Sequence, residues 1–469
     1  MTGQGRAGRV AAVDLGATSG RVIVGRVGDD TLELEEVARF PNGPVEREDG
    51  WHWDIEALWA HVRTGLAEAL RREPGIESVG IDSWAVDYAL LRGDELLAEP
   101  FHYRDARTAR GVEAVHAVVP FAELYRRNGL QFLPFTTLYQ YAADPLVDGA
   151  EVSLLIPDLF AARLTGRRVA ERTNASTTGL LDVHTGEWDT ALAAMLGIPA
   201  SVLPPLVDPG DEIGSTADDL GALPVIAVGS HDTASAIVAV PLSSPNAAYI
   251  SCGTWGLVGL ETAEPIVTDA ARAANFTNEG GVDGRVRFLH NVTGLWLLSE
   301  TVRAWEAEDA AAIDLPALLR AASAEAGPAD LFDADDPALA APGEMPGRIA
   351  ALLGAEPPTL DERPAFVRVI VESIAAAFER AVRTAGVLAA REVDVVHLVG
   401  GGALNALLCQ ATADRTGLPV LAGPVEATAL GNVLVQVRAL GGFGPDAPLE
   451  DLRGRVARAF PPVRYDPRP

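Results

Sequence analysis

Ala11-Ala12-Val13-Asp14-Leu15-Gly16-Ala17-Thr18-Ser19-Gly20-Arg21 is the stretch on which the reading of this chain turns. It puts a carboxylate at the end of an apolar strand and follows it with small residues that suit a tight turn into a second strand. Such a turn can present backbone N–H groups and hydroxyls to phosphate oxygens, an anion nest that needs no lysine. Asp14 then stands where it could hold Mg²⁺, through water, because Mg²⁺ sheds its waters reluctantly. The same residues also suit an ordinary hairpin with an Asx-turn, and taken alone the stretch does not separate the two.

Working outward, residues 10–14, 21–27 and 32–40 read as three strands separated by glycine-containing breaks. Asp54 suits the N-cap of a helix whose apolar face is Ile55, Leu58, Trp59, Val62, Leu66 and Leu70, and 76–81 returns as a strand. A similar opening recurs later: 247–251 and 255–261 read as strands around the turn Cys252-Gly253-Thr254. Two related domains are expected, 1–242 and 243–469, with a hinge in the breaker-rich Pro-Leu-Ser-Ser-Pro-Asn at 241–246. Residues 363–386 have helical spacing, 393–399 is a buried strand, 404–416 a helix and 427–440 a final one. The acidic, breaker-rich 326–345 is expected to decorate the surface. Phe132, Phe135, Tyr139 and Tyr141 are read as core. The class is α/β.

Composition narrows the function. The 469 residues carry a formal charge of −28, which opposes binding to a nucleic-acid backbone or an anionic membrane, and small molecules are the expected partners. All 37 cationic residues are arginine; the chain has no lysine. That excludes a Walker-type P-loop, pyridoxal phosphate or Schiff-base chemistry, and a protein-kinase site, each of which needs a lysine. Cys252 and Cys409 are far apart and lack metal-ligand spacing. The apolar run at 10–13 is too short for a signal peptide and no later run spans a bilayer, so a cytoplasmic location is expected.

Further motifs add chemistry. Ser251-Cys252-Gly253-Thr254-Trp255-Gly256 repeats the small, polar character of the first turn, and Val399-Gly400-Gly401-Gly402-Ala403-Leu404-Asn405 follows a strand and opens a helix, allowing a flat ligand close to the backbone. A dinucleotide fingerprint wants Gly or Ala where Asn405 stands. Glycines for tight strand–helix packing are the other reading for at least one of the three. In Val228-Gly229-Ser230-His231-Asp232-Thr233-Ala234, Asp232 is the candidate general base, since a neutral sugar hydroxyl is a poor nucleophile until a carboxylate takes its proton. The alternative is that Asp232 caps a helix starting at Thr233 and that His231 is only a helix-start residue.

Together these segments resemble the FGGY carbohydrate kinase family over nearly the whole chain. The resemblance rests on the first turn at 13–21, on Gly80-Ile81-Asp82-Ser83-Trp84-Ala85-Val86-Asp87, and on Phe101-His102-Tyr103-Arg104-Asp105-Ala106-Arg107-Thr108. It also rests on the segments at 230–236 and 251–255, on Asn291-Val292-Thr293-Gly294-Leu295-Trp296-Leu297-Leu298, and on 423–432. It implies two actin-like, ribonuclease H-like ATPase domains with a cleft between them, and transfer of the γ-phosphoryl of MgATP to the 1-hydroxyl of L-rhamnulose. Asp232 would be the proton acceptor, with His231, Thr233, Asn291 and Ala85 on the sugar. Ala17, Thr18, Ser19, Gly20, Arg21, Thr254, Ser299 and Gly401 would meet ATP, and Asp14 the metal. Ala85 stands where the pattern has glycine, and Ser299 where it has glutamine. The alternatives are the same chemistry on another ketose, such as L-fuculose or a ketopentose, or a nucleotide-gated binding module without kinase activity. Monomer and dimer remain open.

Overall fold

The computed structural model describes residues 8–444 and 447–468. The chain divides into two compact units, one holding the chain to Ala239 with Glu261–Phe288 and Ala427–Ala459, the other Val240–Leu260, Leu289–Glu426 and the chain from Phe460 on.

The first unit is built on β1 (Gly8–Leu15), β2 (Ser19–Val27) and β3 (Leu32–Pro41), joined antiparallel in sequence. Val10, Ala11, Ala12, Val13 and Leu15 are all buried, because β1 is an interior strand covered on both faces. Helix α1 (Ile55–Arg72) begins where Asp54 accepts a 2.9 Å hydrogen bond from the Ala57 N–H, and it buries Ile55, Leu58, Val62, Leu66 and Ala69. Its approach to the sheet depends on Gly65, where a Cβ would lie 2.5 Å from a Val22 methyl. Fully burying each of those large side chains contributes roughly 1.5–3 kcal/mol. The strand Ser78–Ser83 then pairs parallel with β1, two residues later than the apolar spacing suggested. The completed sheet reads Glu212–Ser215, Pro224–Ile226, Ser78–Ser83, β1, β2, β3.

The second sheet repeats the plan. Its order is Thr277–Gly280, Val286–Val292, Gly256–Thr262, Ala247–Cys252, Val395–Val399, Val420–Ala422, Val463–Tyr465. Ala247–Cys252 is antiparallel to Gly256–Thr262 and parallel to Val395–Val399, as β1 is antiparallel to β2 and parallel to Ser78–Ser83. The recurrence read from the sequence is therefore a recurrence of topology, and the mixed α/β class holds.

Several elements differ from the spacing-based reading. The helix at Ala427–Ala439 is followed by another, Leu449–Ala459, whose buried side is only Leu449, Leu452, Arg453 and Val456. The segment 326–345 carries more than decoration: Phe332, Ala334 and Leu339 are buried in it. Tyr139 and Tyr141 lie in the core as expected, with Phe132 packed against them. No helix among the described residues is long and apolar enough to cross a membrane.

Candidate functional site

In the first unit the carboxylate ends of two parallel strands lie side by side. Asp14 on β1 is the register partner of Asp82 on Ser78–Ser83, and the Asp14 carboxylate pairs with the Arg21 guanidinium across the hairpin. On the other flank of Ser83 runs the segment that enters the helix Asp232–Val238. The Ser83 N–H donates to Ser230 O at 2.9 Å, and Ser83 bridges to His231. Asp14, Asp82 and the 230–232 segment are thus set beside one another by backbone pairing.

Asp82 is fully buried. Its Oδ2 accepts from Asn432 Nδ2 at 2.6 Å, while Oδ1 has no hydrogen-bond partner. Burial first, and then the negative charges of Asp14 and Asp232, push its carboxyl well above the usual range. Asn432 is held in turn: Gln436 Nε2 donates to Asn432 Oδ1 at 2.6 Å, and the Ser78 hydroxyl donates to Gln436 Oε1 at 2.7 Å. This ladder ties the helix Ala427–Ala439 to the sheet. The helix lies close enough that a Cβ on Gly431 would come within 1.8 Å of Ser235 O, and one on Gly80 within 2.6 Å of Asn432 Oδ1.

Asp232 is half-buried at the first position of its helix, and its Oδ1 accepts from the Thr233 hydroxyl at 3.1 Å. The capping reading is not what is found, because His231 is the N-cap residue and makes no side-chain cap bond. The loop before it is anchored by buried Glu171, whose Oε2 accepts from the Ser230 N–H at 2.9 Å and the Ser230 hydroxyl at 2.8 Å. His231 Nε2 lies 3.4 Å from Asp232 Oδ1.

Ala85 is half-buried in a tight turn. The Asp87 N–H donates to Ala85 O at 2.9 Å across Val86, which sits at φ 68°, and Val86 O accepts from the Thr137 hydroxyl at 2.7 Å. A β-branched residue in the left-handed region costs energy that its surroundings must offset. Here they do. Buried Asp87 receives Trp53 Nε1 at 2.6 Å, Trp84 Nε1 and the Tyr103 N–H at 3.1 Å, and Gln140 Nε2 at 2.9 Å. Burial nevertheless raises its carboxyl to about 6, these donors pulling the other way.

Ala17, Thr18, Ser19 and Gly20 lie in the first unit with Arg21, whereas Thr254, Asn291, Ser299 and Gly401 sit in the second. The Gly253 N–H donates to Trp255 O at 2.8 Å, and the Trp296 N–H donates to Thr254 O at 3.0 Å, closing the second turn onto the start of the helix Trp296–Asp309. Ser299 is exposed on that helix, and Asn291 is half-buried on the strand Val286–Val292. The glycine run divides by role. Gly400 has φ 81° and Gly402 would press a Cβ to 2.4 Å from Cys252 Sγ, so both serve the backbone, whereas Gly401 is exposed with open space before it. Asn405 caps the next helix by accepting from the Leu408 N–H at 3.1 Å, which accounts for its departure from the dinucleotide fingerprint.

Sequence reasoning left Asp82, Asp87 and Glu171 without roles, along with Glu279 and Arg287. Asp82 had a usable signal, a carboxylate ending an apolar strand just as Asp14 does. Arg287, set between Val286 and Phe288, is a charge inside an apolar run, which calls for a buried partner. No cluster of three His, Cys, Asp or Glu close enough to ligate a metal directly is found among the described residues. Adjacent Asp14 and Asp82, with a buried oxygen on Asp82 lacking a partner, fit a hard cation bound through its own waters.

Comparison with known proteins follows the same lines. Residues 10–239 match the N-terminal domain, and 248–440 the C-terminal domain, of the FGGY family of carbohydrate kinases. A rhamnulokinase of Bacteroides thetaiotaomicron is 38% identical over 97% of this chain and 95% of that protein. One from Pectobacterium carotovorum is 42% identical over 98% and 93%. Among solved structures, a gluconate kinase from Lactobacillus acidophilus superposes with a TM-score of 0.79 at 18% identity, covering 99% of this chain and 94% of its own.

Proposed function

The chain belongs to the FGGY family of carbohydrate kinases, and from that premise we propose that it transfers the γ-phosphoryl group of ATP to the 1-hydroxyl of L-rhamnulose, giving L-rhamnulose 1-phosphate and ADP. The observation that carries the choice of sugar is the near-full-length identity to proteins named rhamnulokinase.

Asp232 is assigned as the base. It takes the proton of the sugar hydroxyl as that oxygen bonds to the γ-phosphorus and the bond to the β-phosphate oxygen breaks, releasing ADP. A carboxylate so placed contributes typically ~10²–10⁴-fold. His231, Thr233, Asn291 and Ala85 are assigned to the sugar. Ala17, Thr18, Ser19, Gly20 and Arg21 with Thr254, Ser299 and Gly401 are assigned to the nucleotide, and Asp14 to Mg²⁺. Mg²⁺, when bound, neutralises charge on the phosphates. Phosphoryl transfer otherwise asks for in-line positioning and exclusion of water, which the named residues supply by holding both substrates. Division into domains 1–242 and 243–469 is supported by the matched bounds 10–239 and 248–440. Two free, buried cysteines and no candidate membrane helix among the described residues accord with a cytoplasmic location.

Asp232→Asn tests the assignment. Turnover, read as sugar-dependent ADP release, should fall by about 10²–10⁴ with sugar affinity changed only by a small factor. Near-normal turnover would remove Asp232 as the base.

A further inference from the structure

Behind Asp232 the first unit contains a buried chain of charged groups that neither strand geometry nor the proposed chemistry requires. Arg287 has no exposed surface. Its Nε donates to Gly280 O at 2.9 Å, its Nη1 lies 3.1 Å from Glu279 Oε2, and its Nη2 donates to His231 Nδ1 at 3.1 Å. Burial alone would raise the Glu279 carboxyl, but the charge of neighbouring Arg287, the largest opposing influence, helps bring it below its ordinary range. Glu279 is therefore an anion, and Arg287 is its counter-ion.

A guanidinium has five N–H donors and no acceptor, and it does not lose a proton in proteins. A ring nitrogen 3.1 Å from one of its N–H groups must then offer a lone pair. We propose that Arg287 is a positioning residue that locks His231 as the neutral tautomer with its proton on Nε2, the nitrogen facing Asp232. The assignment rests on Asp232 being the base. One competing contact exists: Glu279 Oε2 lies 3.4 Å from the same Nδ1 and would favour a proton there. The Arg287 contact is the shorter and has hydrogen-bond geometry, whereas Glu279 Oε2 makes no hydrogen bond to the ring or to any other group.

The consequence is specific. With its proton on Nε2, His231 has an N–H on the side of Asp232, whose Oδ1 lies 3.4 Å away in the ligand-free protein. When sugar is bound it can only donate, so the sugar atom it meets must be an accepting oxygen. The base keeps a hydrogen-bond donor beside it without acquiring a full positive charge that would weaken its pull on the hydroxyl proton.

The test is the tautomer itself, read on the ligand-free, full-length protein labelled with ¹⁵N-histidine. Two-bond ¹H–¹⁵N correlations distinguish protonated from unprotonated ring nitrogens, and among eight histidines the His231 signals are those lost in His231→Gln. At pH 7 the expected pattern is an unprotonated Nδ1 and a protonated Nε2. In Arg287→Lys, which still donates to Nδ1, the pattern should persist. In Arg287→Gln, whose amide oxygen can turn to accept, it should move toward the Nδ1–H form. A wild-type ring protonated on Nδ1, or on both nitrogens, would overturn the proposal even if no Arg287 variant folds. Because no turnover is measured, this outcome is separate from failure of the substrate assignment.

Discussion

Asp87 makes the turn at Ala85 and Val86 testable through pH. Its carboxyl is fully buried, and burial pushes it from 3.8 up to about 6 against the pull of its four donors. Unfolded, it ionises near 3.8; folded, near 6. Between these values the folded state holds more protons than the unfolded state, so stability falls as pH rises through that window, and the full cost is present above it. At about 1.36 kcal/mol per pH unit the cost at pH 7.5 is about 3 kcal/mol, and at pH 5 it has dropped to about 1.6 kcal/mol. Asp87→Asn cannot titrate there. Going from pH 7.5 to pH 5, wild type should therefore gain about 1.4 kcal/mol relative to Asp87→Asn, other titrations being common to both proteins. Urea unfolding of the two proteins at the two pH values measures this double difference. Equal pH dependence, or a relative loss by wild type at pH 5, would refute the reasoning.

Gly402→Ala should destabilise the second unit, because its Cβ would lie 2.4 Å from Cys252 Sγ, whereas Gly401→Ala meets open space and should leave the melting temperature unchanged while raising KM for ATP. Equal melting behaviour of the two would contradict the division of roles. Burial and neighbouring Asp14 favour the protonated form of Asp82, so the uncharged, isosteric Asp82→Asn should change stability by no more than about 1 kcal/mol, a loss of several marking a charged native carboxylate. Ala85→Gly removes a methyl group from the turn assigned to the sugar and should lower KM for the ketose by up to about tenfold with KM for ATP unmoved; no change in either would take Ala85 off the sugar.

What was legible in the sequence was what local pattern encodes. β1 announced itself by four consecutive apolar residues ending in Asp14, and α1 by Asp54 followed by a 3.6-residue stripe, because a buried strand and an amphipathic helix each write their surroundings into neighbouring positions. The duplication was visible for the same reason, in two strand–turn–strand openings. Pairings between remote segments were not visible. Arg287 meets His231 from 56 positions away and Asn432 meets Asp82 from 350, and no local spacing connects either pair. The helix Leu449–Ala459 escaped notice because its buried stripe is narrow and interrupted by Arg453. Asp232 shows how a local rule can mislead: a carboxylate just before a helix reads as a cap, yet His231 holds that position and Asp232 turns its carboxylate to Thr233.

The most direct test of the account is coupled ADP release with MgATP and, separately, L-rhamnulose, L-fuculose, L-ribulose, L-xylulose, D-xylulose and glycerol. The account predicts ADP formation that depends on added sugar, with the highest kcat/KM for L-rhamnulose. A higher kcat/KM for another ketose would contradict the assigned substrate while keeping the kinase chemistry, and ADP formation indifferent to every sugar would contradict phosphoryl transfer altogether.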